Sequence, residues 1–401
     1  DLFAYRKLQD TAADCEDRCD QIEREMRDPK AAERFALKQS QAFVDQMEGF
    51  ALELEDELMN FSDVSYKSFV KSESEIITLF YDKFADIPLL SRMDAVAETF
   101  IDEIETLLNR DLPEEERIPL IEKFQKMYET MDFYVLYNRF LKKEGYQTLP
   151  RRPLEKRKLR YEDVYPVLYL KYRLSRQAER SNIKHLVIDE MQDYSRLQYL
   201  IIRRMFSCKM TILGDRAQTM ADQQQDVLQF LPGIFGKDLR RIEMRKSYRN
   251  TVEIASYAAN LIGVTDLELF ERHGMPVLER DVTDLEAALR EAVDTLFSDE
   301  KTYETAAVIV PDEKTAERAY LILREILAEK DFDCGKRLSW LNRDSSSFKK
   351  GLTVTTFYLA KGLEFDQVFS IFPKEEKREM MMQAQYIAAT RALHELRVYH
   401  I

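Results

Sequence analysis

The sequence predicts an α/β fold built on a parallel sheet, with a large all-α helical region on its N-terminal side. Three observations lead there. From residue 184 onward, short apolar runs alternate with helical stretches: "HLVID", "KMTILGD", "AAVIVP", "LTVTTF" and "QVFSIF". Each is brief and apolar on both faces, the texture of parallel strands buried between helical layers. Residues 1–150, by contrast, space their apolar side chains three and four apart and contain only Gly49 and Gly145 as glycines. Charge divides the chain in the same place: residues 1–150 hold 34 acids against 19 bases, whereas 151–250 is basic.

In the helical region, Phe43, Met47, Phe50, Leu54, Leu58 and Phe61 form one apolar stripe, and Val96, Phe100, Ile104 and Leu107 form another. Pro29, Pro88, Pro113 and Pro119 stand at expected helix breaks. Cys15 and Cys19, at i and i+4, read as one helical face without a second pair or a nearby histidine; reduced thiols of a cytoplasmic protein are favoured over a zinc site. At 150–160, "PRRPLEKRKLR" breaks the acidic pattern and marks a compositional boundary, either a solvated surface or a phosphate-contacting one. The formal charge of −13 and 45% hydrophobic content describe a globular protein, and no apolar run has the ~18–20 residues a membrane helix needs.

The chemistry begins at "LVIDEMQD". In open parallel sheets ligands bind at the carboxyl ends of strands, and Asp189 and Glu190 stand at such an end. One carboxylate can hold magnesium, largely through water; the other can orient or deprotonate an attacking water. Ser195 and Gln198 then form an S-x-x-Q capping box that starts the next helix. A second strand ends in Gly214-Asp215, with Gln218 three residues on. "RKSYRNTVEIASYAANLI", "TTFYLAKGLEFDQVF" and "QYIAATRALHEL" follow, placing Arg249 and Arg391 at element boundaries. Arginine, planar and permanently charged, is the expected donor to a γ-phosphate. Asn250 and Glu253 read as a capping box that sets Arg249 just before a helix.

In this order, "IDEMQD", "LGDRAQ", "SYRNTVEI", "KGLEFDQV" and "YIAATRA" resemble motifs II to VI of superfamily 1 helicases of the UvrD/Rep kind. The series is most similar to the HelD group, helicase-like ATPases that act on bacterial RNA polymerase. The resemblance implies RecA-like P-loop NTPase motor domains, with ATP and Mg2+ as cofactors and DNA or RNA as partner. By it, Asp189 would bind the metal and Glu190 would activate water. Gln192 and Gln218 would contact the γ-phosphate, while Asp193 and Asp215 couple it to the motor. Tyr248 would stack near adenine, Arg249 and Arg391 would stabilise the transferring phosphate, and Glu364, beside Gly362, would meet the ribose. Thr356 would touch a nucleic-acid backbone. A purely structural alternative pairs Glu364 with Lys361. Two departures from the UvrD pattern point to the HelD group: Tyr358 stands where translocases carry histidine, and the interval from Arg249 to Lys361 leaves no room for the usual accessory domain.

A phosphate-binding loop needs G-x-x-x-x-G-K-[ST], so that backbone N–H groups close around the anion. Of the ten glycines only Gly236 and Gly335 precede lysine, and Leu231 and Lys330 stand five positions earlier. The motif is absent from this sequence. The expectation is therefore a C-terminal motor portion whose upstream half, with the phosphate loop, lies outside it, and which is inactive in isolation. Residues 1–180 would be the helical arm, 181–238 a partial first motor domain and 239–401 the second. The principal alternative is a non-catalytic module whose acidic arm docks to a basic channel of RNA polymerase. A magnesium-dependent nuclease would explain Asp189 and Glu190 but leave both arginine motifs unused.

Overall fold

The computed structural model describes residues 2–176, 182–215, 218, 227–236, 239–244, 246–264, 268–298, 303–330, 334–345, 350–374 and 379–401. They form two compact units. The first is Asp1–Asp189 with Tyr194–Leu213 and Gln225–Asp238; the second is Glu190–Asp193 with Gly214–Gln224 and Leu239–Ile401.

The first unit is predominantly helical. Helix α1 (Gln41–Glu57) starts at Ser40, whose hydroxyl accepts the Phe43 amide. Its stripe Phe43, Met47, Phe50 and Leu54 is buried, as is Leu58 just beyond its end. In the same core lie Val96, Phe100 and Ile104 of α2 (Arg92–Leu108), Leu120 and Phe124 of α3 (Glu114–Gln125), and Tyr137 and Phe140 of α4 (Phe133–Lys143). Val167 and Leu170 of α5 (Tyr161–Leu174) and Leu197 and Ile201 of α6 (Arg196–Met205) complete it. Each such fully buried side chain stabilises by roughly 1.5–3 kcal/mol. The basic run at 150–160 therefore interrupts the composition without interrupting the core.

Four local expectations need correction. Leu107 is 72% exposed, because the stripe of α2 continues from Ile104 to Leu108, four residues on, which packs against the core. Pro119 lies inside α3; its fixed φ is helical, and the missing amide costs one early hydrogen bond without ending the helix. Cys15 belongs to a two-residue strand paired with Lys158–Leu159, whereas Cys19 is in the helix Arg18–Arg27, so the two share no helical face. The region also contains an antiparallel hairpin, Val64–Tyr66 with Phe69–Lys71, and so is not helical throughout.

Strands β1 (His185–Ile188) and β2 (Lys209–Ile212) pair in parallel. Leu186, Ile188 and Ile212 face a small core of Tyr199, Val227, Phe230 and Leu231, while Val187 on the alternate face is 60% exposed. Among the described residues this pair is thus covered on one face only, contrary to the two-sided burial its composition predicts.

The second unit holds the larger sheet. After α7 (Val252–Ile262) come β3 (Leu278–Asp281), α8 (Leu285–Ser298), β4 (Thr305–Val310), α9 (Glu313–Ala328), β5 (Leu338–Trp340), β6 (Gly351–Thr356), β7 (Phe365–Phe372), α10 (Glu379–Thr390) and β8 (Ala392–His400). The strand order is β5-β6-β4-β7-β8-β3 and every pairing is parallel. Ala306, Val308 and Val310 of β4 pack against Leu289 and Val293 of α8 and Ala319 and Leu323 of α9. Ala307 and Ile309, also fully buried, alternate to the other face. Helix α10 packs on β7 and β8 and on α7. The sheet's central strands are covered twice, which is why they read as continuous apolar runs. No helix among the described residues is long and apolar enough to cross a membrane.

Candidate functional site

The second unit brings together the turns that carry the acids and the elements that carry the arginines. Glu190 has φ 53°, in the left-handed region, a conformation that costs a side-chain-bearing residue of order 1–3 kcal/mol and collects at functional sites. Gln192, 2% exposed, holds the turn from two sides. Its amide nitrogen donates to Glu190 Oε2 at 2.6 Å, and its carbonyl oxygen accepts the Asp215 N–H at 3.1 Å. Gly214 lets the two turns meet: a Cβ there would fall on the Gln192 side-chain oxygen and 2.6 Å from the Met191 amide nitrogen. The glycine of "LGDRAQ" is thus required by close approach.

From Asp215 the network runs to the arginine. Gln218 Nε2 donates to Asp215 Oδ2 at 3.0 Å, and Gln218 Oε1 accepts from an Arg391 terminal nitrogen at 3.1 Å. Tyr386, on α10, donates its hydroxyl to Asp215 Oδ2 at 3.3 Å; burial, reinforced by that carboxylate, raises its pKa well above the phenol range. Arg391 is 1% exposed, and it also donates to Thr390 Oγ1 and to the Leu363 carbonyl. Burial lowers its pKa, the neighbouring Arg249 lowers it further, and Glu190 and Glu364 oppose both. Its Nε is buried with no acceptor among the described residues.

Lys361 supplies the second tie. Its ammonium donates to both Asp193 oxygens at 2.7 and 2.8 Å and to the Gln218 carbonyl at 3.1 Å, and lies 3.4 Å from Glu190 Oε2. Glu364 does not pair with it. It meets Arg249 instead, Nε to Oε1 at 2.7 Å, in an ion pair whose partners are both more than 40% exposed.

The capping box expected at Asn250 and Glu253 does not form. Thr251 is the N-cap, its hydroxyl accepting the Ile254 amide. Ser, Thr, Asn and Asp all cap helices, and here the asparagine is drawn off by partners distant in sequence. Asn250 is buried and donates to the carbonyls of Thr390 at 3.2 Å and Ala392 at 2.7 Å, on either side of Arg391. Glu253 accepts instead from His273 and from the Gly274 amide.

The structure thus joins Glu190, Gln192, Asp193, Asp215, Gln218 and Arg391 in one hydrogen-bonded network, with the Arg249–Glu364 pair acting electrostatically on Arg391. Asp189 is exposed at the end of β1. Tyr248 is 60% exposed and packs against the Phe270 ring at 5.5 Å, with the Lys246 ammonium over both rings. Gly362 takes φ 82° in open space. Thr356 is fully buried and its hydroxyl accepts the Leu359 amide. Sequence reasoning missed Asp193 and Glu190 as the acids that Lys361 meets, Tyr386, Asn250 as a tether, and Arg272, which donates to the Arg249 carbonyl at 2.8 Å. Among the described residues no three His, Cys, Asp or Glu side chains cluster as a metal cage; magnesium, which keeps most of its water, does not require one.

Residues 3–220 match the model described as the UvrD/REP helicase N-terminal domain, and residues 351–399 match that of the UvrD-like helicase C-terminal domain. Among solved structures, the chain is similar to the C-terminal domain of a possible DNA helicase from Lactobacillus plantarum WCFS1. That match has 24% identity over 39% of this chain and 88% of that one, with a TM-score of 0.31. It is also similar to arterivirus nonstructural protein 10 (helicase), at 15% identity over 67% of this chain and 50% of that one, with a TM-score of 0.29. The complex of that helicase with DNA matches at 14% identity over 67% and 51%, with a TM-score of 0.30. The chain therefore spans about half the length of the arterivirus protein. No curated protein matches it.

Proposed function

We propose, for a chain that belongs to the UvrD/REP helicase family, that it carries the catalytic acids and arginines of an ATP-driven motor. The observation that carries this reading is the network running from Glu190 through Gln192, Asp215 and Gln218 to the buried guanidinium of Arg391. Such a chain of groups holds the acid and the arginine in fixed relation, the positioning that phosphoryl transfer asks of a water-activating carboxylate and a charge-stabilising cation.

The residues fit a magnesium nucleotide. A buried arginine nitrogen without an acceptor is a donor that an incoming phosphate oxygen would satisfy. Asp189 would hold the metal through water, and Glu190 would take the proton of the attacking water. Arg391 and Arg249 would face the phosphate, Gln192 and Gln218 would register its presence, and Asp193 and Asp215 would pass that on. Bound magnesium would neutralise charge on the phosphate oxygens. Tyr248 would border the base and Glu364 the ribose, at the cost of its pairing with Arg249.

The division of labour we favour is a helical arm at 1–180, a partial first motor domain at 181–238 and a second at 239–401. Tyr358 and the short interval between Arg249 and Lys361 favour a HelD-like output, movement along nucleic acid or remodelling of a transcription complex, over duplex unwinding. The decisive experiment is the ATPase of the intact protein carrying Glu190→Gln. Loss of the general base should lower kcat by about 10²–10⁴-fold with nucleotide binding retained; undiminished turnover would remove Glu190 from catalysis.

A further inference from the structure

The arginine at 249 stands on an exposed turn, where a long side chain needs support to act with defined geometry. That support comes from Phe270–Gly274, each contact made to successive residues of the arginine turn. Lys246–Ser247 pairs in parallel with Glu268–Leu269, and the Phe270 amide then donates to the Ser247 carbonyl. The Phe270 ring meets the Tyr248 ring at 5.5 Å. Arg272 donates to the Arg249 carbonyl at 2.8 Å, while its own carbonyl accepts the Val252 amide at 2.9 Å. Gly274 lies so close to Thr251 that a Cβ would come within 2.6 Å of the threonine methyl. The His273 ring and the Gly274 amide both engage the Glu253 carboxylate, and chiefly the His273 bond holds that carboxyl down to about 2.

The same guanidinium reaches the other arginine's segment. Arg272 donates to the Leu393 carbonyl at 3.0 Å and lies 2.8 Å from His394 Nδ1, two and three residues past Arg391. Asn250 makes the complementary tie to Thr390 and Ala392.

We propose that Phe270–Gly274 is a clasp in which Arg272 acts as a positioning residue, fixing the backbone of Arg249 against the strand that begins just after Arg391. It rests on the reading that both arginines face a phosphate, and it goes beyond that reading in assigning what sets their spacing. A planar fork is suited to this task, since it can serve carbonyls on two segments at once.

Two measurements on the intact protein test it. The first is amide hydrogen exchange in the peptide covering 246–254. Arg272→Ala should raise exchange there by about tenfold or more as the local opening becomes easier, while peptide 365–372 keeps its protection and shows that the sheet is folded. Arg272→Lys, which can serve one carbonyl, should fall between. Unchanged exchange at 246–254 in both variants would overturn the clasp.

The second is a double-mutant cycle on ATPase activity. Arg272→Ala should lower kcat by about 10- to 100-fold with the KM for ATP within about twofold, yet cost nothing further in an Arg249→Ala background. Additive losses would overturn the positioning role. Full activity of Arg249→Ala alone would instead defeat the phosphate reading, with the exchange result still deciding whether the clasp exists.

Discussion

The Lys361 ammonium lies between 2.7 and 3.4 Å from three carboxylate oxygens of two residues, both on Asp193 and one on Glu190. Lys361 is almost fully buried, with 6% of its side chain exposed, while Asp193 retains 25%. Removing one partner of a buried pair leaves the other charge uncompensated, at a cost of about 3–5 kcal/mol when burial is complete. Partial exposure of the acids screens part of that. Lys361→Met should therefore lower unfolding stability by about 2–3 kcal/mol, read from the denaturant midpoint. An unchanged midpoint would show that the contact contributes nothing net.

Gly214 tests the packing of the two turns independently of charge. A methyl there would overlap the Gln192 side chain and crowd the Met191 backbone. Gly214→Ala should cost about 1–3 kcal/mol by overpacking and loosen the Asp215 amide from Gln192. Proteolysis or thermal melting reads the first effect and amide exchange at Asp215 the second. A variant as stable as the parent would mean that the turns separate at no cost.

The parts of this architecture that were legible in the sequence are local. Ser195 caps α6 and Gln198 returns the bond, as the S-x-x-Q spacing requires. All five apolar runs from "HLVID" to "QVFSIF" are strands, and in the three of the larger sheet burial on a pleated surface accounts for the composition directly. What was not legible depends on pairings across the fold. Lys361 and Asp193 are 168 residues apart, and no local spacing announces that they meet. Asn250 carries the signature of a cap, but carbonyls 140 and 142 residues away claim its amide. The exposed Val187 is illegible for a similar reason: an apolar residue in a strand states a preference for burial, and only the assembled layers decide whether it is met.

Cys15 provides a titration of the first unit. Burial, with Asp14 adding to it and Lys158 opposing, pushes its thiol up to about 11. Only the thiolate is alkylated. The folded pKa is raised, so at pH 8 the thiolate is scarce and its fraction grows about tenfold per unit until pH nears 11. Iodoacetamide labelling of Cys15, followed by peptide mass spectrometry, should accelerate without a plateau between pH 8 and 10. A plateau below pH 9 would place the thiol in a more open environment than the strand pair Asp14–Cys15 with Lys158–Leu159 provides.

Arg391 separates the need for charge from the need for geometry. Its guanidinium serves three acceptors at once, the Gln218 side chain, the Thr390 hydroxyl and the Leu363 carbonyl, and keeps Nε without an acceptor among the described residues. Lysine preserves the charge but is a point donor on a flexible stem, so it cannot hold Gln218 and a phosphate oxygen in one plane. If charge alone mattered, Arg391→Lys would keep most of the ATPase activity of the intact protein. On the geometry described, it should instead approach Arg391→Ala, with kcat reduced by about 10²–10³-fold, the range for removing one preorganised donor. With the Gln218 side chain freed of the arginine, the amides of Asp215 and Gln218 should exchange faster in both variants. Near-normal turnover in the lysine variant would show that the network from Asp215 through Gln218 to Arg391 does not set the arginine's action.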